Sequence, residues 1–131
     1  MIVLDTHVLV WWLAAPEKLS ARARRAIEGS AAKSEIAASA ISIFEISTLL
    51  RRGRLELGID PDQWLAAARS LPELTIEPVS AEIAWIAGTF DTALPGDPAD
   101  RVIAATAHAL GATLITADEN LRSAAAIETI W

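Results

Sequence analysis

The sequence predicts a single three-layer α/β domain with a mostly parallel central sheet flanked by helices, and three observations carry that prediction. Short apolar runs alternate with stretches of helical pattern along the whole chain, and such alternation implies parallel strands with helices on both faces. The hydrophobic fraction is 53% but aromatics reach only 5%, so Ala, Ile, Leu and Val supply the apolar surplus, as a sheet buried on both faces requires. Finally, 131 residues with no linker, low-complexity tract or internal repeat fit one shared core spanning 1–131.

The elements follow in order. Ile2–Leu4 is a short β-type run, and the helical stretch after it passes through Trp12 and ends near Pro16. Ser20 is placed to cap a second helix over Ala21–Gly29. Ile36–Ile41 reads as a strand, and Ser42-Ile-Phe-Glu45 carries a capping-box pattern for a helix ending at Gly53. Asp60-Pro61 sets a cap and a first-turn proline for Asp62–Leu71. Leu74–Val79 reads as a strand, and Ser80 opens the helix bearing Trp85. Asp97-Pro98 starts a helix that runs to Leu110 and stops at Gly111. Thr113–Thr116 is then a strand, Ala117–Ala125 a short helix and Ile127–Trp131 a closing strand.

Composition excludes several function classes. With no cysteine, a disulfide framework, a thiolate zinc site and a cysteine nucleophile are all out of reach, which fits a reducing cytoplasm. The apolar opening Met1–Ala15 is interrupted by Asp5 and His7, lacks a basic flank and is too short to span a bilayer, so a soluble chain without membrane contact is expected. A net charge of −6 argues against generic nucleic-acid binding, yet not against a nuclease whose acids gather at a metal site. Arg22, Arg24 and Arg25 form one basic cluster, and Arg51, Arg52 and Arg54 another. Both read first as solvated helix positions, with phosphate contact as the sharper reading. Trp11, Trp12, Trp64 and Trp85 are expected as core or interface anchors, with base stacking the minor reading.

The acids are informative through their places in this architecture. Asp5 ends the first strand, Glu45 lies one turn into the helix after the second, Asp100 is in the first turn after Asp97-Pro98, and Asp118 follows the fourth strand. In a parallel sheet, strand carboxyl ends and helix N-termini share one edge, where ligands bind. Four carboxylates distant in sequence therefore meet on one rim. Gathered like charges need protons or cations, no lysine is near, and a regular helix turns Arg101 elsewhere. Hard oxygen donors select Mg²⁺ or Mn²⁺, a setting suited to phosphodiester cleavage.

Each acid also has a structural reading. Glu45 completes a capping box with Ser42, Asp100 suits a helix dipole, Asp118 caps a short helix, and Asp97 is favoured as a plain N-cap. Asp5 resists such a reading, because a charge ending so apolar a strand is costly without a partner.

Four segments carry a family resemblance. They are Val3-Leu4-Asp5-Thr6-His7-Val8-Leu9-Val10-Trp11-Trp12, Ser39-Ala40-Ile41-Ser42-Ile43-Phe44-Glu45-Ile46, Asp97-Pro98-Ala99-Asp100-Arg101-Val102-Ile103-Ala104-Ala105-Thr106-Ala107 and Leu114-Ile115-Thr116-Ala117-Asp118-Glu119-Asn120-Leu121. In that order they resemble the motifs of PIN-domain proteins, especially the VapC-type toxins, departing mainly where Ala99 and Leu121 replace bulkier aromatics. The resemblance implies an endoribonuclease, the toxin of a type II toxin–antitoxin pair, that hydrolyses RNA to 5′-phosphate and 3′-hydroxyl ends. Asp5, Glu45 and Asp100 would hold the principal Mg²⁺ or Mn²⁺ ion and Asp118 help a second. Thr6 and Thr116 would be supporting hydroxyls and Asp97 an outer member of the site. A homodimer and a cognate antitoxin are implied too, with the helices near Trp11–Trp12 and Ile46–Leu50 as its grooves.

Two other classes remain to be separated. A non-catalytic PIN-like binding module would use the acids only as caps. A metal-dependent phosphatase would want an aspartate where His7 stands, and a phosphotransfer receiver would want a late lysine, which the chain after Ile103 lacks.

Overall fold

Ile2-Val-Leu4 is apolar on both faces and fully buried, which fits it for the centre of a sheet rather than an edge. In the computed structural model, which describes residues 1–90, 94 and 96–131, it is strand β1 and pairs on both sides. The other strands are β2 (Ile36–Ser39), β3 (Leu74–Glu77), β4 (Thr113–Ile115) and β5 (Thr129–Ile130). Their order is β3-β2-β1-β4-β5, and every pairing is parallel. The helices are α1 (Thr6–Ala14), α2 (Ala21–Ala31), α3 (Ala40–Arg51), α4 (Pro61–Ser70), α5 (Ala81–Thr89), α6 (Pro98–Leu110) and α7 (Glu119–Arg122), with one 3₁₀ turn at Pro16–Lys18.

The pleat divides the core between the two faces. Leu4, Ile36, Ala38 and Ile115 pack with Leu9, Ile27 and Ile46 from α1, α2 and α3. Val3, Ala37 and Leu114, one residue out of phase, pack against Ile103, Ala104 and Ala107 of α6 and Leu121 of α7. Small side chains at Ala104, Ala105 and Ala107, all fully buried, let α6 lie close to the sheet, while Ala105 meets Ile83 and Ala87 of α5. This is the three-layer arrangement expected, and the sheet is wholly parallel.

The winding matters for function. From β1 the chain moves outward to β2 and β3, then crosses back to β4 and β5 on the opposite side. The strand order therefore reverses between β1 and β4, the kind of position where open α/β sheets leave a crevice at their carboxyl edge.

Several boundaries differ from expectation, β3 for one ending at Glu77 rather than Val79, and three of the differences have physical reasons. β2 ends at Ser39, and Ser39 rather than Ser42 caps α3, its hydroxyl accepting from the Ile41 N–H at 3.1 Å. Both serines are capable caps, but the ladder extends β2 as far as Ser39, opposite Glu77 of β3. That leaves Ser39 as the last extended residue, and the expected capping box of Ser42 with Glu45 does not form. The closing strand is shorter than Ile127–Trp131 because β5 is an edge strand with one neighbour, β4. The last helix is a single turn, far shorter than Ala117–Ala125, since Asp118 is its cap.

Candidate active site

The carboxyl edge at the reversal point holds a cleft of about 500 Å³, lined by Asp5, Thr6, His7, Trp11, Glu45, Asp97, Asp100 and Asp118 among others. All four acids expected to converge are in its wall, with Asp97 beside them. Thr116 sits fully buried beneath it.

Each acid is held by a different local device. Asp5 is the N-cap of α1, only 8% exposed. One of its oxygens accepts from the Thr6 N–H at 2.8 Å, the other from the Thr116 hydroxyl at 2.7 Å. The Thr116 oxygen in turn accepts from the Asp118 N–H at 3.0 Å, so the ends of β1 and β4 are bonded through one hydroxyl. Asp118 caps α7, accepting from the Asn120 N–H at 2.8 Å, and Asp97 caps α6, accepting from the Asp100 N–H at 3.1 Å. Because α3 starts at Ala40, Glu45 is beyond the first turn and serves no cap. The Thr6 hydroxyl donates to its carboxylate at 2.5 Å and shares a second hydrogen bond of 3.0 Å with the buried Ser42 hydroxyl. The carboxylate of Asp100 has no hydrogen-bond partner among the described residues.

The electrostatics follow from crowding acids in a half-buried cleft. Burial raises the carboxyl of Asp5 above the ordinary carboxylate range, opposed chiefly by its hydrogen bond from Thr116. Glu45 is raised by burial, against the hydrogen bond from Thr6, with Asp5 and Asp97 adding repulsion. Asp100 is pushed up to about 7, first by burial and then by Asp97, Asp5, Asp118 and Glu45. The arginine next to Asp100 in sequence is engaged by backbone carbonyls. Arg101 donates from Nε to the Ala87 carbonyl at 2.8 Å and from Nη2 to the Phe90 carbonyl at 2.6 Å, which turns it to the C-terminal end of α5 as its helix position predicts.

These residues suit a divalent cation by donor chemistry, all hard carboxylate oxygens in mutual repulsion. No three acidic or histidine side chains among the described residues stand in a ligating arrangement as they are. Asp97 and Asp118 have oxygens turned to helix caps and Asp5 to Thr6 and Thr116, whereas Asp100 is unengaged. The set therefore has the right chemistry, with every member but Asp100 holding an internal donor.

Two residues were missed from sequence. Ser42 supports Thr6, and its signal was its place three residues before Glu45, on the same helix face, which the capping-box reading absorbed. His7 lines the cleft, its ring 5.9 Å from that of Trp11. His108 packs edge-on against Phe90, centroids 5.0 Å apart, and lines no part of the cleft. Of the tryptophans, Trp64 is core, Trp11 and Trp12 pack partly buried against it, and Trp85 is 75% exposed, so it anchors no core.

Comparison with known proteins agrees with this geometry. The sequence pattern of the PIN domain matches residues 2–127. The chain is 41% identical over 123 residues to ribonuclease VapC22 of Mycobacterium tuberculosis, covering 93% of this chain and 90% of that protein. Among solved structures, VapBC2 from Rickettsia felis bound to a DNA fragment from their promoter aligns with a TM-score of 0.72 at 23% identity, over 99% of this chain and 98% of the other. FitAcB from Neisseria gonorrhoeae aligns with a TM-score of 0.64 at 25% identity, over 99% and 96%. The first of these structures speaks for the fold; the family rests on the matched pattern and on the identity to a curated relative. The chain belongs to the PIN-domain family and stands with its VapC-type members.

Proposed function

We propose that the chain, acting as one unit over 1–131, is a divalent-cation-dependent endoribonuclease and the toxin of a type II toxin–antitoxin pair. The observation that carries the reading is the cleft itself: five carboxylates from four elements share one wall, Asp97 and Asp100 both belonging to the start of α6, and the guanidinium next to Asp100 in sequence is bonded to backbone carbonyls. The 41% identity to ribonuclease VapC22 supports the reaction class, and standing with the VapC-type members of the family supports a cognate antitoxin as partner.

In this reading Asp5, Glu45 and Asp100 hold the principal ion, Mg²⁺ or Mn²⁺, with Asp118 beside them and Asp97 as an outer support. Bound there, the cation would supply Lewis acidity at the phosphate and a water of lowered pKa. The protein's own part is preorganisation. Thr116 and the Thr6 N–H orient Asp5, while Thr6 and Ser42 orient Glu45. Asp100, raised to about 7, gives up its remaining proton when positive charge enters. No helix of the described residues is long and apolar enough to cross a membrane, and the reading takes the protein as cytoplasmic and homodimeric.

The test is cleavage of total RNA by pure protein with Mg²⁺ or Mn²⁺, beside EDTA and Asp5→Asn. Cutting that requires the cation and falls by at least about 100-fold in the variant is the expected result. Cutting that survives both controls removes the assignment. A binding module that uses the acids only as caps would cut nothing and would gain no thermal stability from Mn²⁺.

A further inference from the structure

A second groove, of about 370 Å³, opens beside the acidic cleft and shares Thr6, His7, Glu45 and Asp97 with it. Its long wall is one face of α3. Ile41, Phe44, Glu45, Thr48, Leu49 and Arg52 all line it, and at 100° per residue these positions fall on one side of a helix. The first turn of α6, at Pro98 and Ala99, forms the opposite wall. Phe44 is 65% exposed, an arrangement that water disfavours for so large an apolar ring. At the far end Arg52, exposed at the α3 C-cap, makes no ion pair among the described residues.

We propose that this groove takes an unpaired RNA base next to the cleaved phosphodiester, stacked on Phe44, with Arg52 meeting a flanking phosphate. The inference rests on the nuclease reading of the acidic cleft. Three features favour RNA as occupant. The groove runs directly out of the cleft, so a strand whose phosphate lies among the acids continues into it. It presents one aromatic face, and stacking on such a face tolerates any base. Its charge changes sign along its length, from carboxylates at one end to a guanidinium at the other, which offers the next phosphate a partner once the acidic end is occupied by a cation. A duplex cannot present an unstacked base, so the groove selects unpaired RNA.

The experiment measures binding by the otherwise unaltered protein, by fluorescence anisotropy of a labelled short single-stranded RNA whose phosphorodithioate linkages resist hydrolysis, with Mn²⁺ present. Adding Phe44→Ala is expected to weaken binding about tenfold, while Phe44→Tyr retains it. Arg52→Gln is expected to weaken it and to reduce the slope of log affinity against log salt by about one. Trp85→Ala removes an equally exposed aromatic that lines neither groove nor cleft, and it should bind as the parent does. In otherwise unaltered protein, Phe44→Ala should raise KM about tenfold with kcat retained. Circular dichroism checks that each variant is folded, which the exposure of Phe44 favours.

Unchanged affinity in Phe44→Ala overturns the proposal. Equal weakening toward a duplex of the same sequence overturns it too, since stacking on an unpaired base would not be the cause. Unchanged RNA affinity with lost antitoxin binding gives the groove to the protein partner instead. Failure of the nuclease reading is recognised separately, as absence of cation-dependent cutting by the unaltered protein.

Discussion

The carboxyl of Asp100 is perturbed by burial and by four other acids, and the consequence has a definite sign. An acid whose folded pKa, about 7, exceeds its ordinary 3.8 binds a proton more tightly in the folded protein. Its contribution therefore favours folding at low pH and is lost as pH rises through the window from 3.8 to about 7. Asp100 is partly exposed, so solvent screens the effect to the order of 1 kcal/mol. Urea denaturation in EDTA at pH 5 and pH 8 should show a smaller decline with pH in Asp100→Asn than in the parent. Equal declines would mean that Asp100 is not raised. Ser42 calls for a different test, because it neither titrates nor lines the cleft. Ser42→Ala removes the hydroxyl that holds Thr6 against Glu45, and activity should fall about tenfold, with stability lower by about 1 kcal/mol. Ser42→Thr, which keeps a hydroxyl, should recover most of the activity, and a loss equal to that of alanine would refute the positioning role.

At the scale of elements, the helix starts show what a sequence reveals and what it hides. Asp60-Pro61, Asp97-Pro98 and Ser80 begin helices where expected, because cap chemistry is local: each side chain accepts from an N–H two or three residues on. Gly111 ends α6 with φ +60°, a conformation that costs little only for glycine. Ser80→Ala should consequently lower stability by about 1 kcal/mol in thermal or urea unfolding, leaving RNA cleavage unchanged. Ser39 and Ser42 could not be ranked from sequence, since the ladder between β2 and β3 decides where extended structure stops, and pairing is not local. For Trp85, 75% exposed, the core half of the core-or-interface expectation falls, since an apolar side chain in a helix does not state which way its helix faces. The acids were legible for the opposite reason. Once strands and helices were in order, parallel topology brought every strand's carboxyl end to one edge, without need of side-chain detail. What escaped was part of the layer beneath them, the hydroxyl of Ser42, whose contact with Thr6 depends on packing. Thr116 was named only through resemblance to the family.

For the molecule as a whole, with a net charge of −6 and a crowded cleft, the proposed reading makes a bound cation a stabilising ligand. Mn²⁺ at 100 times its dissociation constant should add about 2.7 kcal/mol to unfolding free energy. The gain should read as a raised melting temperature, reversed by EDTA and much reduced in Asp5→Asn. The same gain in Asp5→Asn would place the ion elsewhere on the acidic surface.

The bond from Thr116 to Asp5 joins residues 111 positions apart. Seen in time rather than in space, β1 leaves the ribosome early and must wait for β4, which arrives with the last fifth of the chain. Long-range parallel pairing of this kind forms late, so an unfinished copy holds its first acid without the hydroxyl that aims it. Translation thus produces the first acid of the cleft before the strand that orients it, and the full set of carboxylates assembles only as the sheet closes on its own first strand.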